Sequence, residues 1–177
     1  MAENKVNMQK YAMQFGTYMG VYWIFKFGLF PLGFTNQFFF FAFFVLTLAV
    51  PFLGYRYAKT FRDRVCRGSL NFMQSWIFMV FMYMFAALLT AMAHYIYFRF
   101  IDNGYIVDQY LEMLNTVFAQ MPEFETMSEQ LIEGVKAVGN LSPIEMVMQL
   151  LSTNFLYCSI ISLITAPFLM KKQSITS

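Results

Sequence analysis

Charged side chains are scarce in this sequence: 12% of its 177 residues, against 59% hydrophobic and 20% aromatic. A soluble domain carries about 25% charge, so the shortage excludes an ordinary water-soluble globule and makes lipid the solvent for the excess apolar surface. The net charge of +2 is too small to grip a polyanion, which leaves nucleic acid out as a partner. Cysteine occurs only as Cys66, in a basic stretch, and Cys158, in an apolar run. The two are expected at different depths of a bilayer as free thiols, and their spacing matches no metal site. Histidine occurs once, as His94, with no partner spaced for a catalytic dyad or metal ligation. G-x-S-x-G, P-loop and H-E-x-x-H motifs are missing, as are paired carboxylates within the apolar runs. The expectation is a non-enzymatic chain with no catalytic residue, no cofactor and no metal.

What the sequence has in quantity is uncharged length. Gly68 to Phe98 carries no formal charge, with His94 neutral, between Arg67 and Arg99. As a helix this run extends roughly 45 Å, more than the roughly 30 Å hydrocarbon core, so it tilts or protrudes. Its residues 72–98 form a membrane span whose Ala86, Ala87, Ala91 and Ala93 offer a small-residue surface, with Trp76 near one end and Tyr95 and Tyr97 near the other. This span is expected at the centre of a bundle. Residues 37–57 make another span, ringed by Phe38 to Phe41, Phe43 and Phe44 and therefore the most lipid-exposed, with Pro51 as a kink. A further span, 146–170, starts at a serine N-cap, Ser142, with Pro143 and Glu145 following in the first turn. Its small face is Ser159, Ser162 and Ala166, Pro167 bends its end, and Lys171 and Lys172 stop it.

The first span, 11–34, contains Lys26. A central lysine costs about 2.5 to 3.5 kcal/mol on insertion, while each large apolar residue returns roughly 0.3 to 0.6. The balance is near zero, so insertion needs snorkelling of Lys26 or support from neighbouring helices. Gly16 and Gly20 form a G-x-x-x-G that lets a second helix backbone approach. No short apolar core with a small-residue cleavage site follows Lys5 and Lys10, so the segment is expected to be an uncleaved span. Pro31, Gly33 and Asn36 then reverse the chain.

Residues 58–71, with Arg56 just before them, read as a basic loop in which Arg56, Lys59, Arg62, Arg64 and Arg67 face only Asp63. The positive-inside rule makes it cytoplasmic, and both termini with it. Interleaving with Tyr55, Tyr57 and Phe61 makes the same five cations candidate contacts for anionic lipid headgroups. Residues 99–145 form the opposite, acidic and mostly helical segment. Asp102, Asn103 and Gly104 break the preceding helix; Tyr105 to Met121 is amphipathic, on the outer membrane surface or capping the bundle, and ends at Pro122. A short helix at 126–138 is predicted from the Thr126 and Glu129 pair and stops at Gly139 and Asn140.

Counting inward from the outer ends, Lys26, Thr90 and Asn154 fall roughly 12 Å deep, with His94 and Gln149 about one turn nearer the surface. Lys26, Thr90, His94, Gln149 and Asn154 are therefore the candidate intramembrane polar cluster. Asp102 and Glu145 are the nearest anionic candidates. Two readings follow: snorkelling of Lys26 with ordinary interhelical hydrogen bonds, or an outward-opening pocket for an anionic headgroup or small anion.

The basic loop running into Gly68-Ser69-Leu70-Asn71-Phe72-Met73-Gln74, the segment Tyr95-Ile96-Tyr97-Phe98-Arg99-Phe100-Ile101-Asp102, and the ending Ser162-Leu163-Ile164 through Lys171-Lys172 carry a resemblance. With these the chain resembles the domain of unknown function 4199 family of four-span bacterial inner-membrane proteins over nearly its whole length. The resemblance implies a bacterial cytoplasmic membrane and supplies no catalytic or binding residues. The expected fold is an all-α membrane protein, one four-transmembrane-helix bundle with an extracytoplasmic helical segment between spans three and four. The expected function is a membrane scaffold or accessory subunit that meets membrane lipids and either an integral membrane partner or a second copy of itself. The alternative is a small carrier or lipid-handling subunit with an anionic headgroup at Lys26.

Overall fold

Helix formers fill every long apolar run, and the computed structural model, which describes residues 2–120 and 124–170, is all-helical. Its helices are α1 (Ala2–Gly33), α2 (Gln37–Arg64), α3 (Phe72–Phe100), α4 (Tyr105–Phe118), α5 (Glu125–Gly139) and α6 (Pro143–Leu169). Three of them, α2, α3 and α6, are long and apolar enough to cross a membrane. The length of α1 also suffices, but its lysines, glutamines and tyrosines hold its apolarity below the other three. Expectations resting on Met121, Pro122, Lys171 and Lys172 lie outside the described residues.

The helix ends follow local chemistry. Asn36 caps α2 by accepting from Phe38 N–H at 3.0 Å. Gly33 ends α1 where the Phe40 ring presses in; a Cβ there would stand 2.5 Å from it. At α3, Asn71 Oδ1 accepts from Gln74 N–H at 2.8 Å and Gln74 Oε1 accepts from Asn71 N–H at 3.2 Å, a reciprocal capping box. The Glu145 carboxylate accepts from both the N–H and the hydroxyl of Ser142 at the start of α6, as that sequence pattern predicts.

Two boundaries differ from the sequence reading. The stretch expected to be a loop from residue 58 continues α2 as helix to Arg64, because alanine, lysine, arginine and threonine all tolerate helix and no glycine or proline intervenes before Gly68. The connection proper is residues 65–71, where Arg67 (φ 52°) and Gly68 (φ 81°) turn the chain through the left-handed region. Likewise α5 begins at Glu125 with Phe124 at its cap position and no side-chain cap. Thr126 and Glu129 therefore sit inside the helix rather than capping it.

The chain forms two compact units: one takes the sequence up to Thr90 and from Leu151 onward, the other is Ala91–Leu150. In the first, α1 runs antiparallel along α2 through an aromatic ladder: Tyr11 against Phe61, Phe15 against Tyr57, Phe30 against Phe40 and Phe43, and Phe34 against Phe40. The Tyr22 hydroxyl donates to the Leu46 carbonyl at 2.7 Å in the same seam. Parallel to α1 lies α3, and here the glycine pair acts. A Cβ on Gly16 would stand 2.6 Å from the Met82 carbonyl oxygen, and one on Gly20 2.9 Å from a Leu89 methyl. Ala86, whose backbone lies against both glycines, supplies the opposing small surface, and Ala87 beside it is buried. The core is the α3 face Phe78, Met79, Met82, Tyr83 and Ala86, closed by Ala12, Met19 and Trp23 of α1, Phe61 of α2 and Cys158 of α6. Facing away from it, Phe38, Phe41, Phe44 and Phe52 of α2 are exposed, as expected for a lipid-facing helix.

The second unit contains an antiparallel hairpin of α4 and α5, in which Gly139 meets Val107. Asp102, buried, caps α4 by accepting from the N–H groups of Gly104 (3.2 Å) and Ile106 (3.2 Å). Tyr110, Met113 and Val117 on α4, and Met127, Leu131 and Val138 on α5, leave an exposed apolar flank on each helix.

Candidate functional site

The cation that makes α1 costly to bury is held by aromatic rings. Lys26 Nζ lies 5.9 Å from the centroid of Trp23, one turn earlier on α1, and 5.3 Å from that of Phe43 on α2. Each such contact is worth about 0.5 to 2 kcal/mol, more when water is excluded, enough to offset part of the insertion cost. Lys26 itself is half-buried and makes no ion pair among the described residues. Trp23 stacks on Tyr83 of α3 with centroids 6.1 Å apart. The buried Cys158 of α6 belongs to the same core cluster as Trp23 and Tyr83. These contacts and the core around Cys158 link the four helices of the first unit.

Two polar atoms here have no partner. Trp23 is 5% exposed and Tyr83 2%, yet neither Trp23 Nε1 nor the Tyr83 hydroxyl makes a hydrogen bond. The Tyr83 hydroxyl instead rests on Gly54 of α2, in the space a Cβ would fill. An orphaned buried donor costs about 1 to 3 kcal/mol, so both mark a locus where a further acceptor would be stabilising.

The sequence-derived cluster is distributed over both units. Lys26, Thr90 and Asn154 belong to the first, His94 and Gln149 to the second. The hydroxyl of Thr90 donates to the Ala86 carbonyl at 2.8 Å, within its own helix, and reaches the Gly20 carbonyl at 3.5 Å, so it fastens α3 to α1. Asn154 shares the inward face of α6 with Leu151, Cys158 and Ser162, one turn from Cys158. His94 is buried with Phe98 6.2 Å away, and Gln149 is exposed. Depth counting from the sequence singled out Lys26. It missed Trp23, Phe43, Tyr83 and Cys158, because depth says nothing about rotation about the helix axis.

Of the five basic residues, Arg56, Lys59, Arg64 and Arg67 are exposed. Arg62 is the exception. Its Nε donates to Asp63 Oδ1 at 2.8 Å and its Nη1 donates to the Leu169 carbonyl at 3.2 Å, so it clamps the end of α2 to the negative end of α6.

One further pair was not singled out in the sequence. Thr153 and Tyr157, one turn apart in the middle of α6, both face outward from the first unit; Tyr157 is 63% exposed.

No curated protein and no solved structure matches the chain. Residues 14–171 match the family described as Protein of unknown function (DUF4199), the family suggested by the basic segment and the Tyr95 to Asp102 stretch. That match covers most of the sequence, and the chain belongs to this family.

Proposed function

We propose that this protein is a non-enzymatic, four-span scaffold or accessory subunit of a bacterial cytoplasmic membrane, assembling with another integral membrane protein or with a second copy of itself. The fourth span in this reading is α1. Its ladder with α2 runs from Tyr11·Phe61 to Phe34·Phe40, the whole apolar length of a helix fit to cross, and so holds α1 at the same depth.

The observation that carries the assembly reading is the outward pair Thr153 and Tyr157. A phenol and a hydroxyl turned toward hydrocarbon lack the acceptors that a neighbouring helix supplies, and such groups join helices in membranes. Cross-linking and mass spectrometry of the protein extracted in native lipid particles should recover a stoichiometric protein partner or a dimer cross-linked through α6. Thr153→Val with Tyr157→Phe should reduce that species about threefold or more, as loss of interhelical hydrogen bonds worth about 0.6 kcal/mol each implies. A monomeric protein with no partner in those particles excludes the reading.

In this reading the end of α2 lies in the cytoplasm, at anionic headgroups, and its exposed cations support that. Cys66, beside them, reports the side. Burial pushes its thiol above the ordinary range, so the folded protein holds less thiolate than the unfolded chain at the same pH. An impermeant maleimide should therefore label Cys66 only in inverted vesicles, more slowly than in denatured protein, and faster as pH rises. Arg56, Lys59, Arg64 and Arg67 changed together to glutamine should abolish binding of the purified protein to anionic liposomes, whereas Arg62→Gln should retain most of it and lose stability. Labelling from outside, or unchanged liposome binding in the quadruple variant, refutes this placement.

A second reading, a small carrier or lipid-handling subunit with an anionic headgroup at Lys26, is favoured by one observation: an intramembrane ammonium without an ion pair among the described residues.

A further inference from the structure

The lone carboxylate among the described side chains of the first unit is Asp63, already held by Arg62. It lies roughly 30 Å along α2 from Phe43, the ring that marks the level of Lys26. Among the described side chains of this unit none therefore supplies a counter-charge for Lys26. The groups around it are donors: the ammonium with three N–H bonds, and Trp23 Nε1–H, which is buried and unpartnered; the Cys158 thiol is a weak donor nearby. A set made of donors around one positive charge is complementary to an oxyanion.

We propose that Lys26 and Trp23 Nε1 hold the phosphate-type oxyanion of an anionic amphiphile in the outer half of the membrane, where α1, α2 and α6 meet. This rests on the second reading above and on α1 crossing the bilayer. The geometry suits a lipid headgroup. Lys26 lies roughly 10 Å from the Gly33 end of α1, within reach of a headgroup drawn slightly inward, and its half-exposed side chain stands beside the half-exposed Phe43, an apolar wall for an acyl chain. The ammonium stands over the indole face, 5.9 Å from its centre, and the N–H of that same ring is the unpartnered donor; a phosphate has oxygens for both.

Phosphatidylglycerol is the probe, with phosphatidylcholine as the zwitterionic control and inorganic phosphate as competitor. The full chain is loaded with each lipid, exchanged through detergent, and weighed by native mass spectrometry. Wild type should keep about one phosphatidylglycerol per chain in preference to phosphatidylcholine. Lys26→Met should lose about tenfold in retention and Trp23→Phe about threefold, the scale of a charge-assisted and a neutral hydrogen bond, while Lys26→Arg keeps it. Competition by inorganic phosphate assigns the same site to the free ion. Equal retention of phosphatidylglycerol by wild type and Lys26→Met, or no lipid or phosphate retained by wild type, overturns the proposal. Thr35→Cys separates the two layers. Labelled from outside, it leaves the span in place and any failure belongs to the site; labelled only from inside, it removes the span and the site together.

Discussion

Gly16→Leu should cost about 3 kcal/mol or more, the upper end of overpacking penalties, read as a fall in the unfolding midpoint in mixed micelles. Even the first carbon of a side chain there would stand 2.6 Å from the Met82 carbonyl oxygen and 2.7 Å from Phe85 Cβ. A carbonyl in the middle of α3 cannot yield without breaking that helix's own hydrogen bonds, so the helices must part. Separation would expose Ala86 and Ala87 and withdraw the Gly20 carbonyl from Thr90. Gly28, twelve residues further on the same helix, is the control: nothing lies within 4 Å of a Cβ placed there. Gly28→Ala should be neutral or stabilise by up to about 1 kcal/mol through helix propensity. Equal effects at the two positions would mean that α1 does not rest on α3 through this pair.

Gly54→Ala should destabilise by about 2 to 3 kcal/mol, because its methyl group would take the space of the Tyr83 hydroxyl. Tyr83→Phe alone should be neutral or stabilise by about 1 kcal/mol, since the hydroxyl it removes is buried without a partner and its loss of packing on Gly54 offsets only part of that gain. In the double variant the alanine meets a ring without its oxygen, and much of the lost stability should return. A coupling of more than about 1 kcal/mol in this cycle is the expected result; additivity would show that the two residues are not in contact. The cycle also measures how strongly α2 is keyed to α3, because Tyr83 is the α3 side chain that reaches Gly54.

Much of the fold was legible because long apolar runs need no partner to declare themselves. The α3 and α6 boundaries follow from charge limits and from the Ser142 cap, and the G-x-x-x-G marked a close contact whose other side only the structure supplies. Helix length past Tyr57 was not legible, since basic residues signal membrane topology and helix equally well. The surroundings of Lys26 were half legible. Counting along the helix singled it out, but Trp23 and Phe43 are unremarkable among so many aromatics, and the turn of Thr90 toward its own backbone depends on which side of α3 faces α1. Tyr157 was hidden for a related reason: a tyrosine in an apolar helix is ordinary if it faces inward, and only the inward stripe of Leu151, Cys158 and Ser162 shows that it does not.

The aromatic ladder between α1 and α2 bears on how the chain is made. Under the four-span reading, α1 leaves the ribosome before α2 and is, on its own, close to indifferent between water and lipid. Phe40 and Phe43, which receive Phe30, Phe34 and Lys26, are synthesised only after the reversal at Gly33 and Asn36. The insertion machinery would then have to hold α1 until α2 arrives and release them as a pair, so a nascent chain halted just after Asn36 should remain extractable by alkali while one halted after Arg64 should not.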